Sequence, residues 1–145
     1  MRVHAVCLVV VVGFLLGTNQ PVFPGSPEAA TIVEHGGEWL LMYGVVYYHM
    51  SGYVKNTSDQ SLKYVQLEVE LLDKEGNIVL RRTGYNQRAE VLEMEGASGT
   101  LEEKLKEVEP LAPGEKDFFR MAFDKEQIPK KPKFTSYRVK ITETR

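Results

Sequence analysis

Hydrophobic side chains recur at every second position in four stretches of the chain, the period that puts alternate residues on one face of a β-strand. In residues 45–56, Val46, Tyr48, Met50, Gly52 and Val54 share one face, and Tyr47, His49, Ser51, Tyr53 and Lys55 share the other. Residues 62–73 give the cleanest alternation: Val65, Leu67, Val69 and Leu71 face a core, and Gln66, Glu68 and Glu70 face water. Phe119, Met121 and Phe123 repeat the pattern, as do Tyr137, Val139 and Ile141 in the last strand. Residues 39–43 are rich in aromatic and branched side chains and predict a further short strand, ended by Gly44.

The connections read as turns. Asp73-Lys74-Glu75-Gly76-Asn77 has Asp and Gly where a type I turn with a left-handed glycine needs them, so 62–73 and 78–83 form an antiparallel hairpin. Residues 110–116, PLAPGEK, form a second turn, and residues 128–133, IPKKPK, form an extended, proline-bounded connection. The stretch from Tyr85 to Glu109 breaks the two-residue period. Thr100 and Glu103 have capping-box spacing, and Leu101, Leu105 and Val108 fall on one helical face. A short helix near 100–108 is expected, with a pair of irregular strands as the rival and a flexible loop at 95–99. Short strands separated by turns at this density predict an all-β, antiparallel β-sandwich of about seven strands.

The first residues depart from this pattern. Arg2 and His4 precede an apolar run, 5–16, broken only by Gly13; Gly17, Thr18 and Asn19 follow. A positive start, a short apolar core and a small or polar exit describe a secretory signal peptide, and the run is too short for a spanning helix. Residues 1–17 are read as this signal, with Gly17 and Ala30 as rival exits and an uncleaved membrane anchor as the alternative. Residues 18–37 read as a linker or N-terminal extension, and 38–145 as the folded domain. The expected location is periplasmic or extracellular. The only cysteine, Cys7, lies inside the apolar run, so disulfides, thiol nucleophiles and cysteine metal sites are excluded from an exported remainder. A net charge of -2 over 145 residues gives no reason to expect nucleic acid, and no strong pull towards anionic membrane surfaces.

Three motifs in order resemble the FxLYD domain family. The first is the strand end Gly52-x-Val54-x-Asn56. The second is Val69-Glu70-Leu71-Leu72-Asp73, in which Leu71 and Asp73 match the naming motif while Val69 and Leu72 replace Phe and Tyr. The third is Pro113-Gly114-Glu115 with Phe119 beyond it. The resemblance spans roughly residues 49–142, with 84–109 unmatched. It implies an immunoglobulin-like β-sandwich in exported or membrane-attached prokaryotic proteins, and no catalytic residues.

Candidate chemistry is sparse. His35 and His49 are the only histidines beyond the signal. His49 and Ser51 share a strand face, but no nucleophile-elbow motif accompanies them. His49, with Met42, Met50, Met94 and Met121, supplies soft donors of the kind copper prefers, yet neighbouring strand residues point to opposite faces. No catalytic residue, cofactor or metal is expected. The aromatic residues Trp39, Tyr43, Tyr47, Tyr48 and Tyr53 are the stronger signal, and Tyr47, His49 and Tyr53 form the candidate interaction patch. The expected function is a non-enzymatic, exported module that binds an unidentified protein or envelope component; the alternative is small-molecule or metal binding at His49 or the tyrosines. Asn56-Thr57-Ser58 fits the N-glycosylation pattern, but these residues also turn chains through side-chain-to-backbone bonds, and that is their expected role here.

Overall fold

The structure, a computed structural model, describes residues 25–94 and 99–145. The apolar segment 5–16 and most of the loop at 95–99 lie outside the described residues. A 3-10 turn at Pro27–Ala29 leads into β1 (Ala30–Met42), followed by β2 (Val45–Asn56), β3 (Val65–Leu72) and β4 (Ile78–Tyr85). A 3-10 segment, Gln87–Glu93, and helix α1 (Leu101–Glu107) come next, then β5 (Lys116–Asp124) and β6 (Ser136–Thr144). The strands form two antiparallel sheets, ordered β1-β2-β5 and β4-β3-β6. Six strands are present among the described residues rather than seven, because the stretch after Tyr85 coils into helical turns.

β1 is longer than the strand expected at 39–43. It begins at Ala30, where Thr31, Ile32 and Val33 carry the branched side chains that favour strands. The two-residue connection Tyr43-Gly44 has positive φ at both positions, 52° and 80°, as a type I′ hairpin turn requires. That turn fixes Met42 opposite Val45 and Trp39 opposite Tyr48. The expected turn at 73–77 is also present. Gly76 takes φ 85°, and the Asp73 carboxylate accepts the Glu75 and Asn77 N–H groups at 2.9 Å each. Its hydrogen bonds, led by the Asn77 side chain, hold the Asp73 carboxyl below its ordinary range.

One core joins the two sheets. Met50, Val54, Phe119 and Phe123 from the first pack with Val65, Leu67, Val69 and Leu71 from the second, each set on the face that the two-residue period assigned to burial. A smaller cluster of Tyr64, Ala89, Leu105 and Val108 seats α1 and the 3-10 segment. The Thr100–Glu103 capping box forms in both directions. Two turns of helix are too few to persist alone, so this packing holds α1 in place.

Glu70 departs from expectation. It sits on the face read as wet, yet it is 1% exposed. β3 is the central strand, so Glu70 lies between Arg81 of β4 and Arg138 of β6. Arg138 and Lys140 reach across to it at 2.5 Å and 3.0 Å. The Lys140 ammonium, followed by Arg138, lowers the Glu70 carboxyl to about 2. A carboxyl depressed in the folded state stabilises the fold above its ordinary value near 4.5, and that contribution disappears as pH falls towards about 2. Urea midpoints are therefore expected to drop across this window, and Glu70→Gln should flatten the drop. An unchanged pH slope in the variant would contradict the assignment.

Candidate interaction surface

Tyr47, His49, Ser51 and Tyr53 all point outward from β2, the central strand of its sheet. Across β5 they face Asp124, Ala122, Arg120 and Phe118 in turn. Tyr53 meets Phe118 edge to face at 5.4 Å. His49 lines a groove of 530 Å³ that also holds Arg120 and Glu90, ion-paired at 3.2 Å. Tyr53 and Ser51 line a separate hollow of 290 Å³ beside Gly36. His49 and Ser51 thus share a face but not a pocket, and among the described residues no hydrogen bond joins them.

Met42, Met94 and Met121 border the groove with His49, which collects most of the soft donors in one place. Strand register keeps them from forming a single ligand set. Met42 lies four residues along β1 from Glu38, the partner of His49, or about 13 Å at the usual rise of a strand. Met121 packs into the core on the opposite face of the sheet from His49. Among the described residues no group of three or more His, Cys, Asp or Glu side chains is placed to hold a metal ion.

A different aromatic cluster forms at the end of the molecule carrying the Tyr43-Gly44 turn. Tyr48 packs against Phe134 at 4.9 Å and Trp39 at 5.2 Å, and Tyr137 joins at 6.3 Å. His35 continues the row, its Nδ1 3.1 Å from the Tyr137 hydroxyl. Burial, then the neighbouring Tyr137, pushes the Tyr48 hydroxyl up. Gly37 leaves room here: a Cβ at that position would meet the Tyr48 hydroxyl and the Met50 sulfur, which would have to shift. Trp39, Tyr48, Ile128 and Phe134 floor a groove of 710 Å³ rimmed by Lys125, Lys130 and Lys133. It offers planar apolar surface beside cations. Sequence reading named Trp39 and Tyr48 but not their contact; the signal was the turn at Tyr43-Gly44, whose two-residue length fixes that pairing.

The two flanks of the fold differ. On the β4/β5 flank, Arg82 donates to the Ala122 carbonyl and Asn86 bridges to Phe119. Asn86, buried, also donates to Asp117 at 2.7 Å, and Asp117 accepts the Arg88 N–H, so the 3-10 segment is bolted to β5. The other flank is open. Among the described residues β1 pairs only with β2, and its residues 33–39 are exposed one after another, on both faces. A bulge between Ile32 and Glu34 and the charges of Glu34 and Glu38 limit which strands could add to it.

The fold and its surface define a mostly β domain of two three-stranded antiparallel sheets, with β1 an edge strand that is unpaired on its far side among the described residues. The chain belongs to the family described as Protein of unknown function (DUF3426), whose model matches residues 27–141. Comparison with curated proteins found no match, and comparison with solved structures found none. Among the described residues no helix is long and apolar enough to cross a membrane.

Proposed function

We propose that this chain is a non-enzymatic, exported module of immunoglobulin-like β-sandwich architecture, related to FxLYD domains, that binds a protein or envelope component along β1. The observation that carries this reading is the run 33–39, exposed on both faces of an edge strand whose far side is unpaired among the described residues. Such an edge can accept an extended segment by main-chain hydrogen bonding, with side-chain contacts giving selectivity. The FxLYD resemblance gains a physical reason as well. The Asn56 N–H donates to the Glu115 carbonyl at 3.0 Å, and Gly114 donates back to Asn56 at 2.9 Å, so two of the three motifs are one joint.

Export is carried by the N-terminal sequence. Of the two candidate exits, Ala30 is poorly placed. Cutting there would remove Ala29, which is buried and accepts the Thr57 and Ser58 N–H groups at 3.0 and 3.2 Å. It would also remove Ser26, whose carbonyl accepts the Thr144 hydroxyl at 2.6 Å. Processing is assigned to the Gly17 side of Gly25.

The test is a crosslinking pull-down from the native envelope with two variants. Val33→Lys, a charge on the edge, should lose the partner, whereas Tyr47→Ala with Tyr53→Ala should keep it. Loss in the tyrosine variant alone would move the site to the outer face of β2. Turnover of ester, peptide or glycoside substrates that a point mutation abolishes would overturn the non-enzymatic reading.

A further inference from the structure

The tip of the β1–β2 hairpin is built against the usual rule. Residues 40–46 read LLMYGVV, with no charged or amide side chain. Hairpin turns of this length favour Asn, Asp or Gly at both central positions. Here Tyr43 takes φ 52°, a costly conformation for a bulky residue, and its ring is fully exposed. Leu41 beside it is 73% exposed, and neither belongs to a core cluster. Trp39, at the base of the tip on the same face of β1 as Leu41, is 49% exposed. Trp39 packs one side of its ring on Tyr48 and Phe134, but packing among the described residues does not explain Leu41 or Tyr43.

The surrounding charge is one-sided. Lys125 follows β5 directly, and its backbone N–H donates to the Val46 carbonyl at 2.9 Å, next to the tip. Residues 124–133 hold Lys125, Lys130, Lys131 and Lys133 against Asp124 and Glu126, a surplus of two positive charges on a chain whose total is -2. Asp124 is turned to its own backbone, accepting the Glu126 N–H at 2.8 Å. None of the four lysines forms an ion pair among the described residues. The net charge gave no reason to expect attraction to an anionic surface; the fold gathers that reason at one end.

A convex apolar tip, an aromatic ring at its base and a collar of unpaired lysines match the layers of a bilayer in order: hydrocarbon, interface and phosphate. A protein partner would instead need a concave pocket for Leu41 and Tyr43. We infer that this end docks peripherally on an anionic lipid bilayer, with Leu41 and Tyr43 inserted, Trp39 at the interface and the lysines on the headgroups. The docked orientation leaves residues 33–38 of β1 to the partner, while Trp39 borders both sites.

The full chain provides its own probe, since Trp39 is its only tryptophan. Vesicles of phosphatidylcholine containing phosphatidylglycerol should shift Trp39 emission to the blue, and brominated acyl chains should quench it. Pure phosphatidylcholine vesicles should do neither. Lys130→Gln with Lys131→Gln should weaken partitioning roughly 25-fold, about fivefold per lysine near the surface. Leu41→Ser, at an exposed site, should keep the fold and lose the quenching. An absent shift, an equal shift on neutral vesicles, or a shift unchanged in every variant would overturn the inference, the last by assigning attachment to the N-terminal apolar segment. A lipid-free shift that grows with protein concentration would assign the tip to a second copy. Loss of the envelope partner in Leu41→Ser without vesicle binding would assign it to a protein.

Discussion

Gly52→Ala is expected to abolish the cooperative fold, or to lower its melting temperature by roughly 10 °C or more. Gly52 lies in the central strand of its sheet, between His35 of β1 and Phe119 of β5. A Cβ there would fall on the Glu34 carbonyl oxygen and within 2.8 Å of two ring carbons of Phe119. Phe119 is fully buried in the core. The Glu34 carbonyl is main chain, positioned beside the bulge of β1, so relief needs movement of the edge strand itself. Overpacking a core costs about 1–3 kcal/mol when side chains can yield, and more when backbone must move. Gly36→Ala is the matched control: nothing lies within 4 Å of its would-be Cβ, and its effect should stay within about 0.5 kcal/mol. Thermal melts of both variants decide the matter, and equal melting temperatures would contradict the close approach of β1 and β2 at Gly52.

Asn56→Ala is expected to cost about 3–5 kcal/mol, because it strands several buried partners at once. Asn56 is completely buried at the end of β2. Its amide nitrogen donates to the carbonyls of Gln60 and Leu111 at 2.7 and 2.9 Å. Its side-chain oxygen accepts from the Ser58 N–H at 3.0 Å and the Ser58 hydroxyl at 2.8 Å. One side chain thus closes the loop after β2 and ties it to the segment before β5. Asn56→Asp separates the two halves of this role. It keeps the acceptor for Ser58 but aims a carboxylate at two carbonyls, so it should be at least as damaging as alanine. Urea unfolding of the pair tests this, and a mild effect in Asn56→Asp would show that the donated bonds matter little. The same geometry bears on the glycosylation pattern: in the folded chain the Asn56 amide is enclosed and fully engaged.

Most strand faces were legible because each carries a strict two-residue alternation and one wet side. Met50, Val54, Leu67 and Phe119 are all buried as that alternation requires. The capping box was legible because Thr100 and Glu103 act through local spacing alone. Other features depend on chain neighbours that no local pattern reveals. Glu70 reads as wet until Arg138 and Lys140 arrive from β6, 68 and 70 residues away. The 3-10 segment owes its place to Asn86 and Asp117, which meet across 31 residues. The tyrosine patch was read from one strand in isolation. Tyr47, His49 and Tyr53 share the outer face of β2, and β5 sets them beside different partners, Asp124, Ala122 and Phe118. The exposed aromatics that stand out in three dimensions, Trp39 and Tyr43, belong to the hairpin end instead. The unpaired edge of β1 is a property of strand order, and strand order cannot be read from alternation.

Binding along that edge is tested most directly by amide hydrogen exchange across β1, alone and with the partner captured from the envelope. The amides of residues 33–39 that point away from β2, roughly every second one, are expected to exchange quickly in the free chain and to slow by at least about tenfold on binding, as added main-chain hydrogen bonds require. Slowing confined to β5 and α1, or none anywhere, would contradict β1 as the docking edge.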